Sequence, residues 1–180
     1  MTVFTIGHST RSVDELVRLL TELGVDLLVD VRSIPRSRTN PQFNSDVLPA
    51  SLAACGIGYR HLRALGGLRG PQKLDAPSPN TLWRRAGFRN YADYAMTSEF
   101  RAGLHALREL AQDHTLAMMC AEALWWRCHR RIIADYLLSA DLHVAHIVGP
   151  GRLDAARLTP GARVQSDGAL RYPGDQETLI

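Results

Sequence analysis

The chain has no apolar run near the roughly 20 residues a membrane-spanning helix needs, which excludes a helical membrane anchor within these 180 residues. Its start, Met1-Thr2-Val3-Phe4-Thr5-Ile6-Gly7, lacks a basic stretch followed by an apolar one. No signal peptide is expected, and the expected location is the cytoplasm. Cysteine is scarce: Cys55, Cys120 and Cys128 make an odd count and contain no Cys-x-x-Cys, which argues for reduced thiols over a disulfide framework. Internal repeats and low-complexity tracts are absent as well.

Lysine is nearly missing. Twenty of the 21 basic residues are arginine, whose planar fork suits phosphate and carboxylate. The net charge of +3 is only mildly basic, but residues 60–89 hold Arg60, Arg63, Arg69, Lys73, Arg84, Arg85 and Arg89 against the lone acid Asp75. An arginine-biased composition produces the same segment without any function, so its charge does not by itself assign a nucleic-acid partner.

What is present is an alternation of strands and helices. Apolar runs at Thr2–Gly7, Asp26–Val31, Thr115–Cys120 and Leu142–Val148 read as buried strands, with a weaker one at Ile57–His61. Ser12-Val13-Asp14-Glu15 is a capping box opening a helix that Gly24 stops. Further helices are expected over 46–54, over 90–111 as one long element, and over about 127–139. Residues 65–80, with three Gly and three Pro, read as a long loop, and Ser166-Asp167-Gly168 as the turn of a small hairpin. The expected fold is α/β, a mostly parallel sheet of about five strands flanked by helices. It occupies one domain over 1–150, with the hairpin in an extension over 151–180 packed on it.

In open α/β sheets ligands bind beyond the carboxyl ends of the strands. The first strand ends in His8 and Ser9, the second in Asp30 and Arg32, the third in His61, and the fourth in Cys120 and Glu122. Asp30 interrupts an apolar strand, so it is either a structural partner of Arg32 or a base beside it, with Arg32 and Arg38 clamping an anion. The stretch Cys120–Arg130 runs from a strand end to a helix start. It admits an anion pocket built on Arg130, or a nucleophilic Cys120 or Cys128 with His129 or Glu122 as base. It also admits a purely packed Cys128. Zinc on Cys120, Cys128 and His129 is disfavoured, because adjacent helical residues point about 100° apart. Leu65-Gly66-Gly67-Leu68-Arg69-Gly70 is a glycine-rich loop without the lysine of a P-loop or the dinucleotide fingerprint. Trp83, Trp125 and Trp126 beside arginines read as packing ahead of base stacking, and Cys55 reads as core.

The pattern resembles the family known as domain of unknown function 488. The matching pieces are Thr5-Ile6-Gly7-His8-Ser9, Val29-Asp30-Val31-Arg32 with Pro35-x-Ser37-Arg38, Leu65-Gly66-Gly67-x-Arg69, Tyr91–Met96, Cys120-Ala121-Glu122, Cys128-His129-Arg130 and His146-Ile147. The resemblance implies an α/β fold and a site made of these pieces, and it implies no reaction. The segment Ala123-Leu124-Trp125-Trp126-Arg127 departs from the polar linker usual there, and a bulky apolar wall beside the site is expected.

Together these readings predict a small enzyme or ligand-binding domain for an anionic, phosphate-bearing molecule or nucleotide. Asp30, Glu122, His8 and His129 are the acid–base candidates, and Cys120 and Cys128 the nucleophiles. Ser9, Arg32, Ser37, Arg38, Gly66, Gly67, Arg69 and Arg130 are the ligand-binding candidates. No metal, cofactor or oligomeric state is assigned. The alternative is a nucleic-acid-binding accessory protein using residues 60–89.

Overall fold

The computed structural model describes residues 1–174; positions 175–180 of the expected C-terminal extension lie outside the described residues. The elements are β1 (Thr2–Gly7), α1 (Val13–Thr21), β2 (Leu27–Asp30), α2 (Leu48–Ala53), β3 (Gly58–His61), α3 (Ala86–Tyr94), α4 (Ser98–Asp113), β4 (Leu116–Cys120), α5 (Arg130–Leu138), β5 (His143–Gly149), β6 (Arg152–Ala155), β7 (Arg163–Val164) and β8 (Leu170–Arg171).

The sheet has six strands in the order β3-β2-β4-β1-β5-β6, all parallel except the antiparallel pair β5–β6. The sixth strand was not expected: Arg152-Leu153-Asp154-Ala155 has no apolar run, and its place on β5 follows from the tight turn at Gly151, where φ is +61°. The two-stranded pair β7–β8 is the predicted hairpin, with Gly168 at φ +79° in its turn.

Both sheet faces are covered. Leu16, Leu19 and Leu20 of α1 and Leu48 and Leu52 of α2 pack on Ile6, Leu28, Ala117 and Met119. On the other face Tyr91 of α3, Phe100 and Leu107 of α4, and Ile132 and Ile133 of α5 pack on Val3, Val29, Leu116 and Met118. Each such fully buried aliphatic or aromatic side chain contributes about 1.5–3 kcal/mol.

At the first helix the Ser12 hydroxyl accepts from the Glu15 N–H at 3.0 Å, as the capping box predicts. The reciprocal half is not made, because the Glu15 carboxylate takes Arg11 Nε at 2.9 Å instead. The single long helix expected over 90–111 is two helices. Thr97 breaks it by turning extended and accepting the Phe100 N–H, so that α4 starts afresh. Cys55 is exposed and not core, since α2 ends at Ala53 and Cys55 lies in the turn completed by Gly56 at φ +74°. Among the described residues no helix is long and apolar enough to cross a membrane.

Because β4 lies between β2 and β1, successive crossovers leave the sheet in opposite directions around it. A crevice opens at the carboxyl ends of β1, β4 and β2, and the candidate site lies there.

Candidate functional site

The floor of the crevice is set by three backbone segments that must approach closely. Beyond β1, the His8 N–H donates to the Cys120 carbonyl at 2.8 Å and the Ser9 N–H to the Ala121 carbonyl at 3.0 Å, continuing the β1–β4 ladder past both strands. A Cβ on Gly7 would overlap the Glu122 carbonyl, so glycine alone fits there. Gly66 and Gly67 let the glycine-rich loop lie against Ser33 and the His129 ring in the same way. The loop's function is therefore close approach between elements, which spacing alone does not reveal.

At the end of β2, Asp30 and Arg32 form a buried pair. Arg32 donates through Nε (2.9 and 3.1 Å) and Nη2 (2.6 Å) to the Asp30 carboxylate, which also accepts from the Arg32 N–H at 3.0 Å and the Tyr59 hydroxyl at 2.7 Å. Arg32 Nη2 also reaches the Phe43 carbonyl at 2.7 Å, while His61 Nε2 donates to the Arg32 carbonyl at 2.8 Å. Asp30 is thus saturated, an arrangement that positions Arg32 and leaves no lone pair for base chemistry. Burial pushes the Tyr59 hydroxyl well up, and the adjacent Asp30 charge adds to it.

His8 stacks on Phe43 at 4.3 Å between centroids. Its Nδ1 donates to the Ser9 carbonyl at 2.9 Å, leaving Nε2 to accept from Arg32 Nη1 at 3.2 Å. Burial lowers its pKa to about 4, and Arg32 also holds it down. His146 on β5 is lowered to about 4 too, by burial and then by Arg130; it stacks on Trp125 at 4.3 Å, and its Nε2 has no partner among the described residues. Both imidazoles are neutral when folded but take a proton at the ordinary value of 6.5 when unfolded. The unfolded state therefore binds more protons between pH 6.5 and 4, so stability is full above that window and falls as pH drops through it. The expected loss by pH 4 is about 3 kcal/mol per histidine. Urea unfolding midpoints measured across the window should fall with acidification, and a flat profile would contradict the buried neutral state.

The densest chemistry lies where β4 ends and α5 begins. Cys120 and Cys128 bring their sulfurs to 2.9 Å. His129 Nε2 donates to the Val31 carbonyl at 2.9 Å, which leaves Nδ1 facing Cys128 Sγ at 3.4 Å. Cys128 is extended (φ −122°, ψ 148°) and His129 begins the helix, so the two do not diverge as adjacent helical residues would. Contrary to expectation, the two side chains can therefore face one point. Even so, no group of three or more His, Cys, Asp or Glu among the described residues is arranged to hold a metal ion.

Arg130 lies beneath the sulfurs, 1% exposed, donating to Cys128 Sγ (3.4 Å), Thr5 Oγ1 (3.3 Å) and the Glu122 carbonyl (2.5 Å). No carboxylate among the described residues pairs with it. A buried guanidinium needs a counter-charge, and the adjacent sulfur can supply it. Burial alone would raise the Cys128 thiol, but the Cys120 thiol donating to it, together with His129 and Arg130, holds it well below the ordinary thiol range. Cys120 goes the other way, raised by burial and by the neighbouring Cys128 charge. Of the two sulfurs, these surroundings therefore favour Cys128 as the one that ionises first.

Above this floor is a cavity of about 570 Å³. Of the expected residues, His8, Arg32, Ser37, Gly67, Cys120, Glu122, Cys128 and His129 line it. The others do not. Arg38 is exposed on the preceding loop, and Ser9 lies in the turn after β1 at φ 48°. Gly66 is buried against Ser33. Arg69 does not close over the site: it stacks on Tyr94 at 3.7 Å and donates to the Gly66 and Arg63 carbonyls at 3.0 and 2.8 Å. Arg130 lies under the cavity floor and does not line the cavity itself. Ser37 reaches the lining, but its hydroxyl accepts from the Asn40 N–H, and Glu122 Oε1 accepts from the Leu124 N–H.

Arg36, Arg85, Arg127, Phe88 and Tyr91, none of them expected here, also line the cavity. Arg85 and Arg127 make no side-chain bond among the described residues, and Arg36 pairs with Asp46 only at the surface. The expected apolar wall is also absent from the cavity. Trp125 turns to His146 and to Asp154, which accepts from its Nε1 at 3.0 Å, while Trp126 is exposed.

A family model described as Domain of unknown function DUF488 matches residues 12–137. The chain belongs to this DUF488 family. The matched span carries the Asp30–Arg32 pair and the Cys120–Arg130 stretch, while Thr5–Ser9 and His146-Ile147 fall outside it. No curated protein and no solved structure matches the chain.

Proposed function

We propose that this DUF488 protein is a small enzyme acting on an anionic, phosphate-bearing molecule at the carboxyl ends of its strands, with Cys128 as nucleophile. The observation that carries this reading is the Cys128 sulfur, ringed by Cys120, His129 and Arg130, at the floor of a cavity whose walls hold Arg32, Arg36, Arg85 and Arg127 against Glu122 as the lone carboxylate. Arg85 and Arg127, free of internal partners, hold the anion, and Arg32 adds its Nη1 edge beside His8. The thiolate attacks the electrophilic centre, and His129 Nδ1 exchanges protons with the sulfur or the leaving group. Phe88, Ile34 and Leu68 give the cavity an apolar side for the remainder of the substrate.

A nucleic-acid partner is the weaker reading. Within residues 60–89, Arg69 is consumed by backbone carbonyls and Trp83 is buried against Phe88 and Tyr172, so neither is free for a strand of bases.

A thermal-shift screen separates the two. Inorganic phosphate, nucleoside phosphates, sugar phosphates and a short single-stranded oligonucleotide form the panel. A ligand at about 100 times its Kd adds about 2.7 kcal/mol, a shift of about 5–10 °C for a chain this size. The expected result is a shift with a small phosphorylated molecule that disappears in the Arg85→Gln, Arg127→Gln double variant. A shift with the oligonucleotide alone, fading steeply as salt rises, would replace the enzyme reading with the nucleic-acid one.

A further inference from the structure

We propose that Cys120 and Cys128 are a redox-active pair, in which a hydroperoxide oxidises Cys128 and Cys120 resolves the product to a disulfide. The proposal rests on the reading of Cys128 as a thiolate but not on the identity of the anion. Three observations carry it. The sulfurs lie 2.9 Å apart, in contact and unbonded. Both cysteines line the cavity, so a small oxidant reaches a pair that is otherwise buried. Neither element has to move far: Cys120 ends β4, in register with Gly7 of β1, and Cys128 lies two residues before α5.

An acyl- or phosphoryl-transfer nucleophile needs one sulfur, and a second thiol in contact is not required for it. A resolving thiol must instead reach the first sulfur directly, and this is the position Cys120 holds. Cys55, exposed at the turn after α2, has no such neighbour among the described contacts.

The chemistry balances in two steps. The Cys128 sulfur attacks the terminal oxygen of the hydroperoxide; an S–O bond forms as the O–O bond breaks, and the leaving alkoxide or hydroxide takes a proton. Sulfur is oxidised by two electrons and the peroxide is reduced by two. The Cys120 sulfur then attacks Cys128 Sγ: an S–S bond forms, the S–O bond breaks, and the hydroxyl leaves with the Cys120 proton as water. Arg130 Nε, 3.4 Å from Cys128 Sγ, favours the anionic sulfur in the first step. The disulfide silences the nucleophile while protecting it from irreversible oxidation, and a dithiol reductant restores it.

The test uses the full chain carrying Cys55→Ser, so that only these two thiols remain. Stoichiometric hydrogen peroxide should remove two hydrogen atoms from the intact mass, and a non-reducing digest should yield one peptide joining Cys120 to Cys128. With Cys120→Ser added, the sulfenic acid should persist and be trapped by dimedone at Cys128; with Cys128→Ser added, peroxide consumption should fall at least tenfold. Circular dichroism confirms that each variant is folded. Dimedone capture or sulfinic acid at Cys128 with Cys120 intact and no disulfide would overturn the pair while leaving the nucleophile standing. Folded protein inert at Cys128 to both peroxide and iodoacetamide would sink the pair and the nucleophile together. Disulfide formation in a protein that shows no phosphate-ligand shift keeps the pair and removes the anionic substrate.

Discussion

Arg32→Ala is expected to lose about 3–5 kcal/mol of folding stability, because it strands a fully buried carboxylate. Asp30 is 0% exposed, and Arg32 supplies its Nε and Nη2 donors; only the backbone N–H of residue 32 and the Tyr59 hydroxyl would remain. The same guanidinium ties β2 to the Phe43 carbonyl, so the loop between β2 and α2 loosens with it. The paired replacement Asp30→Leu with Arg32→Met removes both charges and should recover most of the loss. Denaturant titrations of the three proteins check this. A single Arg32→Ala variant within about 1 kcal/mol of the parent, the range of an exposed ion pair, would mean that the pair is not holding the loop. Sequence alone left Arg32 balanced between anion clamp and ion-pair partner; the geometry gives most of its donors to Asp30 and one edge to the cavity.

The second large effect is expected at Arg130. Arg130→Met keeps a long side chain in a buried site but removes the positive charge beneath the sulfurs. Cys128 then loses a partner that favours its thiolate, and its alkylation by iodoacetamide at neutral pH should slow by at least about tenfold, since each unit of pKa is about tenfold in thiolate fraction. The variant should remain folded, because a buried cation without a carboxylate is replaced by an apolar group of similar length. Labelling followed by peptide mass spectrometry in a Cys55→Ser background reads this directly. An unchanged rate would show that Arg130 does not sustain the thiolate.

Much of the scaffold was legible because parallel strands covered on both faces must be continuously apolar, and Leu27–Asp30 and Leu116–Cys120 are fully buried as that pattern requires. The helix boundaries at Ser12 and Gly24 were legible through capping chemistry. Strand β6 was not, because an edge strand with Leu153 half exposed carries no periodic signal. The break at Thr97 was hidden because the apolar residues of α3 and α4 run on at helical spacing across it, and only the hydroxyl cap at Thr97 marks the restart.

In the site, chemical residues at strand ends could be read off the sequence, since the fold fixes where strand ends go. The fate of each arginine could not. Arg69 turns inward because the loop carbonyls of Arg63 and Gly66 need a donor, and Arg130 because the Glu122 carbonyl does. Arg85 reaches the cavity only because it caps α3, whose Gly87, Phe88 and Tyr91 line the same cavity as Cys120 at the end of β4, a tertiary placement with no local signature.

The most direct test is a titration of thiolate ultraviolet absorbance against pH in the folded Cys55→Ser protein. A thiolate at Cys128, held by Cys120, His129 and Arg130, predicts one equivalent of thiolate already present at neutral pH, persisting below the ordinary thiol range, with the second appearing only far above it. Both thiols ionising together in the ordinary range would contradict the thiolate, and with it the nucleophile and the redox pair.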